Sequence, residues 1–203
     1  SGWNDGYDIQ LISKNRLGCT DTLVRNDFLH VLGPMPNFVM SNNYGCDPLE
    51  VNFIDKSKGV YTYLMDYRDG TTLDSNSVYK HTYRIENSGD RQSYRPALYA
   101  KDSLGCVAIF EPDDLVSVLR KPIIELNVPD PNGCVPHSLY FNHETTNTSN
   151  VNWVLNGQIV GDQKSGNHLI DSAGSYVLKL EVTNNNQCAD SVSLPIEVFN
   201  SPK

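Results

Sequence analysis

The feature that most constrains this chain is a pattern written into it three times. Gly6-Tyr7-Asp8-Ile9-Gln10-Leu11 leads to Gly18-Cys19, and Ser93-Tyr94-Arg95-Pro96-Ala97-Leu98 leads to Gly105-Cys106. Ser175-Tyr176-Val177-Leu178-Lys179-Leu180 leads in the same way to Gln187-Cys188. In each copy the tyrosine stands 12 residues before the cysteine. The tyrosine and the second and fourth residues after it form one face of a period-two strand. Asn15, Asp102 and Asn184 fall in the turn that follows.

The other end of the unit repeats as well. Cys46-Asp47-Pro48 leads to Val51 and Phe53, and Cys134-Val135-Pro136 leads to Leu139 and Phe141. Tyr7 and Tyr94 are 87 residues apart, and Val31-Leu32 recurs as Val118-Leu119 at the same offset; Tyr94 and Tyr176 are 82 apart. Such repetition marks tandem modules. Residues 1–35 are expected to be the last strands of one module, 36–120 a full module and 121–203 another. The joints, Gly33-Pro34-Met35-Pro36 and Arg120-Lys121-Pro122, are short and stiffened by proline, so neighbours should abut with little play.

Within the first full module, strand signals cover 37–41, 49–55, 60–67, 78–84, 93–101 and 107–119. Tyr63, Met65 and Tyr67 share one face there, as do Val151, Trp153 and Leu155 in the second module. Gly, Asn, Asp and Pro punctuate the strands, and no segment has helical periodicity. Modules of this length are immunoglobulin-sized. The expected fold is all-β, a tandem of immunoglobulin-like β-sandwiches.

Charge and cysteines narrow the function. With 24 acidic and 16 basic residues the net charge is −8. That disfavours nucleic acid and anionic membranes, both of which call for clustered Lys and Arg. No apolar run approaches the roughly 18 residues of a membrane span, so no membrane insertion is expected. Ser1-Gly2-Trp3-Asn4-Asp5 lacks the basic start and apolar stretch of a signal peptide, and the chain is expected to be an internal piece of a longer protein. The five cysteines, at 19, 46, 106, 134 and 188, include no CxxC pair, against zinc or thioredoxin-like chemistry. Widely spaced cysteines in an acidic, Asn/Ser/Thr-rich chain fit an oxidising, extracellular compartment.

These residues resemble the PKD (polycystic kidney disease) module of immunoglobulin-like sandwiches. Its Trp-Asp-Phe-Gly-Asp-Gly stretch is matched by Met65-Asp66-Tyr67-Arg68-Asp69-Gly70, its His-Thr-Tyr by His81-Thr82-Tyr83, and its Gly-x-Tyr-x-Val-x-Leu by Ser93-Tyr94 through Leu98. The second module keeps Trp153 and Gly174-Ser175-Tyr176, but has Asn156-Gly157 in place of the acidic turn and His168 alone before it. The cysteine-bearing form is similar to arrays in Bacteroidetes surface proteins, among them the very large gliding-motility adhesins exported by the type IX secretion system. That resemblance implies a non-catalytic structural and adhesive segment at the cell surface. Its partners would be neighbouring modules and surface polysaccharide or other surface proteins. The alternative, from a different class, is an accessory module of a secreted hydrolase.

The resemblance also draws attention to Asp-Ser/Thr-apolar triplets, similar to an O-glycosylation signal of that phylum. Their acceptors are Thr22, Ser103, Ser172 and Ser191; the ordinary reading is that Asp-Ser and Asp-Thr form turns. Asp66 and Asp69 are weak calcium candidates, since two carboxylates fall short of the six to eight oxygens calcium takes. Asp69-Gly70 reads more simply as a hairpin turn with positive φ. His81 and Tyr83 have no nucleophile or paired carboxylate patterned near them, and the histidines at 30, 137, 143 and 168 share no ligand spacing. No cofactor and no enzymatic activity are expected. Tyr44, Tyr61, Tyr79 and Tyr99 are candidates for a sugar-binding platform, or plain strand formers.

Two cysteine pairings are open. Within modules, Cys46 would join Cys106 and Cys134 would join Cys188, closing loops worth about 4 kcal/mol each in the chain-entropy model. Strand polarity favours another. The second and sixth strands of an up-and-down sandwich run parallel, which puts Cys46 and Cys106 at opposite ends of a strand spanning more than ~20 Å; a disulfide tolerates about 7 Å between Cα atoms. The same polarity brings Cys46 to Cys188 of the next module, a staple between neighbours.

Overall fold

Alternation of apolar and polar residues, broken by Pro, Gly and Asx, folds this chain into twenty strands with no helix among the described residues. The computed structural model describes residues 6–30, 33–74 and 80–202. In chain order the strands are β1 Tyr7–Lys14, β2 Thr20–Leu29, β3 Phe38–Ser41, β4 Tyr44–Cys46, β5 Leu49–Asp55, β6 Thr62–Asp66 and β7 Thr72–Asp74. There follow β8 Lys80–Tyr83, β9 Arg91–Tyr94, β10 Ala97–Lys101, β11 Val107–Phe110, β12 Val116–Leu119 and β13 Ile123–Asn127. The last are β14 Gly133–Cys134, β15 His137–Thr146, β16 Asn150–Leu155, β17 Gln158–Gly161, β18 Ser165–Ile170, β19 Gly174–Thr183 and β20 Ala189–Phe199.

They belong to two compact units. One comprises Ser1–Ser41, Asn52–Lys80 and Arg95–Leu115; the other comprises Asn42–Val51, His81–Tyr94 and Val116–Lys203. The second unit thus draws three segments, 42–51, 81–94 and 116–120, from the stretch expected to form the first full module.

In the first unit, β1 and β2 form a two-stranded hairpin, and β11-β10-β6-β7 form a four-stranded sheet. Aromatic edges tie β3 and β5 to that sheet. Phe38 lies 5.6 Å from Phe53 and 5.2 Å from Phe110, and Phe53 lies 5.5 Å from Tyr67. Met65, Ala97, Leu98 and Ala100 complete this apolar interior. The hairpin is different: all of its positions are exposed. Tyr7, Ile9 and Leu11, which the repeat assigns to an inward face, find no third strand among the described residues.

In the second unit, β13-β15-β18 and β14-β20-β19-β16-β17 are the two layers of an immunoglobulin-like sandwich. Leu139, Phe141 and Ile170 from one layer meet Trp153, Leu155, Leu178, Leu180, Val182, Ile196 and Val198 from the other. Phe141 and Trp153 sit at the centre, 4.4 Å apart, and the indole N–H donates to the Gln163 carbonyl at 2.9 Å. Gly166 is required here, because a Cβ would meet the Phe141 ring at 2.6 Å. Two of the three repeated tyrosines hold a backbone carbonyl: Tyr94 Oη donates to Arg84 at 2.5 Å, and Tyr176 Oη to Ser172 at 2.9 Å. This is the corner that a strand-borne tyrosine makes in immunoglobulin-like sandwiches.

Several expected strands differ in their bounds. The strand expected over 93–101 is two, β9 and β10, which lie in different sheets and break at Arg95-Pro96; proline has no N–H for a ladder. The run 107–119 likewise splits around Glu111-Pro112-Asp113-Asp114 into β11 and β12. The recurring Val31-Leu32 and part of the expected strand 78–84 lie outside the described residues.

Two outcomes follow for stability. A chain beginning at Gly33 should unfold with the same midpoint as the whole chain in chemical denaturation, because the hairpin is open to water at every position. A lower midpoint would show that the hairpin is covered. The second concerns His143, which is buried beside Trp153, with Nδ1 2.9 Å from Thr145 Oγ1. Burial, and secondarily Lys164, hold its imidazole below the ordinary value, with Glu144 opposing. A depressed folded-state pKa stabilises above the unfolded value of about 6.5 and is lost as pH falls through the folded one. Stability should therefore decline on acidification below about pH 6.5, and His143→Gln should flatten that part of the curve.

Candidate functional site

The three tyrosine-to-cysteine copies end in one and the same loop. Asn15 N–H donates to the Cys19 carbonyl at 3.0 Å and Gly18 N–H to the Asn15 carbonyl at 3.1 Å, while Asn15 Oδ1 accepts from Leu17 and Cys19 at 2.9 and 3.0 Å. Asp102 does the same with Leu104, Gly105 and Cys106, and Asn184 with Asn186, Gln187 and Cys188, all within 2.8–3.2 Å. The residue before each cysteine has positive φ: Gly18 at 91°, Gly105 at 92° and Gln187 at 64°. This is a three-residue hairpin loop closed by a left-handed residue, locked from inside by an Asx side chain. It delivers a cysteine at its exit.

What meets that cysteine differs between copies. Cys188 is wholly buried and bonded to Cys46, with their Cα atoms 5.6 Å apart. Cys46 lies on β4, which runs parallel beside β12 with Gly45 opposite Val118 and Cys46 opposite Leu119. Asp47 N–H donates to the Leu119 carbonyl at 2.8 Å. Next to the bond, buried Asn184 uses its remaining group: Nδ2 donates to the Arg120 carbonyl at 2.8 Å. The staple Cys46–Cys188 is therefore the pairing present. The within-module alternative, Cys46–Cys106 with Cys134–Cys188, is absent; Cys19, Cys106 and Cys134 are free thiols and exposed. For Cys134 and Cys188 the obstacle is distance. Cys188 precedes β20, while Cys134 is opposite Phe199 at its far end, and eleven residues span roughly 35 Å.

Among the other candidates, Asp66 and Asp69 share one turn whose hydrogen bonds occupy them. Asp66 Oδ1 accepts from Arg68 N–H at 2.8 Å while its Oδ2 pairs with the Arg68 guanidinium at 3.2 Å; Asp69 Oδ1 accepts from Thr71 N–H and Oγ1 at 3.0 and 2.6 Å. The positive φ falls on Arg68 and Gly70 rather than on Asp69. Arg68 also bonds Glu111 at 2.7 Å and Tyr99 at 3.2 Å. No group of three or more His, Cys, Asp or Glu suited to a metal exists among the described residues. His81 packs edge-on against buried Tyr83, with ring centres 4.7 Å apart. Tyr99 lines an open apolar trough on the β11-β10-β6-β7 sheet with Leu64, Val107 and Ile109. Tyr61 is exposed before β6, Tyr44 lies under the Arg91 guanidinium at 5.7 Å, and Tyr79 lies outside the described residues. Thr22, Ser103, Ser172 and Ser191 are all exposed. Thr22 and Ser191 occupy equivalent places three residues after a loop cysteine, each with its N–H held by the preceding aspartate at 2.9 Å.

No protein-family model and no curated protein sequence matches the chain. Solved structures do overlay on it. The fibronectin(III)-like modules of CbhA from Clostridium thermocellum are 13% identical with a TM-score of 0.33, covering 83% of this chain and 94% of theirs. A chimeric tandem of titin Z1Z2 domains is 15% identical at 0.32, covering 81% of this chain and 99% of its own. The N-terminal four immunoglobulin domains of Dscam1 are 16% identical at 0.31, covering 98% of this chain and 56% of theirs. Likeness at this level assigns neither family nor activity.

The residue that sequence reasoning missed is Asn184 as a donor at the staple. The signal was present in the choice of Asn at 15 and 184 against Asp at 102, since only the amide adds an N–H. Asn184→Asp should lower stability by about 1–3 kcal/mol, the cost of setting a charged acceptor against a buried carbonyl. Part of the loss should return below about pH 4, where the protonated acid donates again. Asp102→Asn, on an exposed loop, should change stability by less than about 0.5 kcal/mol. Denaturation curves at two pH values measure all three effects.

Proposed function

We propose that this chain is a non-catalytic structural and adhesive segment of a very large secreted surface protein, built of PKD-like modules over 36–120 and 121–203, with 1–35 the end of a preceding one. The observation that carries this reading is the disulfide between the front cysteine of one repeat copy and the loop cysteine of the next. A bond of that kind belongs to an oxidising, extracellular compartment. It suits a stalk under tension, because force applied at the chain ends passes through Cys46–Cys188 and bypasses the residues between. The resemblance to Bacteroidetes arrays points to a gliding-motility adhesin exported by the type IX system, with Thr22, Ser103, Ser172 and Ser191 as O-glycosylation acceptors on exposed backbone. The apolar trough beside Tyr99 favours, as a second reading, an accessory module that binds carbohydrate or protein for a secreted hydrolase.

Single-molecule pulling tests the mechanical role. The two cysteines are 142 residues apart, about 500 Å of extended chain at ~3.5 Å per residue. Total contour length should therefore grow by about 500 Å when reductant is added. Equal extension in oxidising and reducing buffer would sink the reading.

A further inference from the structure

The staple has an open counterpart. Gly133 and Cys134 run parallel beside β20, opposite Val198 and Phe199. Gly45 and Cys46 stand in the same way opposite Val118 and Leu119. Val135 N–H donates to the Phe199 carbonyl at 3.0 Å, as Asp47 N–H does to Leu119 at 2.8 Å. Both glycines are closed to a side chain by the residue four positions on. A Cβ on Gly45 would meet Leu49 Cδ1 at 2.8 Å, and one on Gly133 would meet His137 Nδ1 at 2.2 Å. Ser201-Pro202 follows Asn200 where Lys121-Pro122 follows Arg120. The backbone is therefore the same twice over.

What differs is the covering. Cys46 is bonded, and Leu119 beside it is 1% exposed, its carbonyl 4.0 Å from Cys188 Sγ. Cys134 is a free, exposed thiol, and Phe199, in the place of Leu119, is 58% exposed. An open aromatic next to an open thiol, on a scaffold whose other copy is occupied, describes a joint lacking its second half.

We propose that Cys134 is the receiving half of a second staple, and that its partner is the loop cysteine of a following copy of the same repeat. This rests on the reading of the chain as tandem modules. The occupant must resemble the loop that fills the first joint: an Asn at its first position to close the turn and donate to the Asn200 carbonyl, a left-handed residue, then cysteine. The Asn15 and Asn184 loops meet this description; the Asp102 loop lacks the donor. Bond formation takes a disulfide oxidant such as oxidised glutathione. The Cys134 thiolate attacks it and releases one glutathione thiol. The loop thiolate then attacks the mixed disulfide and releases the second.

The test continues the chain. Residues 1–202 are followed by a second copy of 123–203, so that Pro202 precedes Ile123 as Pro122 does. Exposed Asn185→Gln in the added copy marks its loop peptide by mass. After refolding in a glutathione buffer, non-reducing peptide mapping should recover Cys46 linked to the original Cys188 and Cys134 linked to the added Cys188. Cys134 should also lose its reactivity with iodoacetamide, and Asn184→Asp in the added copy should lower the yield of the second link. Intact Cys46–Cys188 beside alkylated Cys134 overturns this inference and leaves the stapled-module reading standing. Loss of both links overturns both.

Discussion

A side-chain oxygen at the head of a hairpin loop accepts two backbone N–H groups, and the position of every loop cysteine depends on it. Without that oxygen the N–H groups of residues two and four positions on would turn to water, and a loop of three residues would be free to open. With it, and with a left-handed residue to finish the turn, the cysteine leaves the loop at a fixed place and angle. The three copies agree in these bonds to within a few tenths of an ångström. Gly satisfies the left-handed position twice, at 18 and 105; Gln187 adopts it at φ 64°, at a cost of roughly 1 kcal/mol for a residue with a Cβ. The pinned loop around it offsets that cost.

The partner strand supplies the other fixed point. Parallel pairing of so short an element as β4 against β12 stabilises little by itself, since it forms few ladder bonds. Its use is geometric: it holds Cys46 level with Leu119, the residue whose carbonyl the buried Cys188 approaches. Closing a loop of 142 residues is worth about 5 kcal/mol in the chain-entropy model. A net hydrogen bond such as that from Asn184 to Arg120 contributes about 1 kcal/mol. The covalent term dominates the joint, and the hydrogen bonds serve to aim it.

The sequence was readable where a residue type has no substitute. The Asx that closes the loop, the residue with positive φ and the cysteine at the exit recur at fixed spacing because each position tolerates few alternatives. Apolar alternation placed Met65, Tyr67, Trp153 and Leu155 in the interior, where they are buried. It failed where proline stands inside an otherwise continuous run, at Pro96 and Pro112, because the missing N–H and the fixed φ act on the ladder and leave the apolar pattern untouched. Strands of two or three residues, β4, β7 and β14, carry too few side chains for any period to register. Their places are set by tertiary pairing alone. The acidic turn at 66–70 was legible as a turn, but which of its residues is left-handed was not: Arg68 takes that conformation because Asp66 captures its N–H and its guanidinium together.

A joint made this way needs little apolar surface. Burying one leucine-sized side chain such as Leu119 contributes about 2 kcal/mol, far less than the several side chains a non-covalent interface of ordinary size would bring. A sandwich that relied on such a patch would carry it exposed before its neighbour folded, a liability for a long chain emerging into an oxidising space. With a covalent bond at this point, less of the joint's stability has to come from apolar burial. The exposed Phe199 beside Cys134 is of the same small size: a single aromatic ring beside a single thiol.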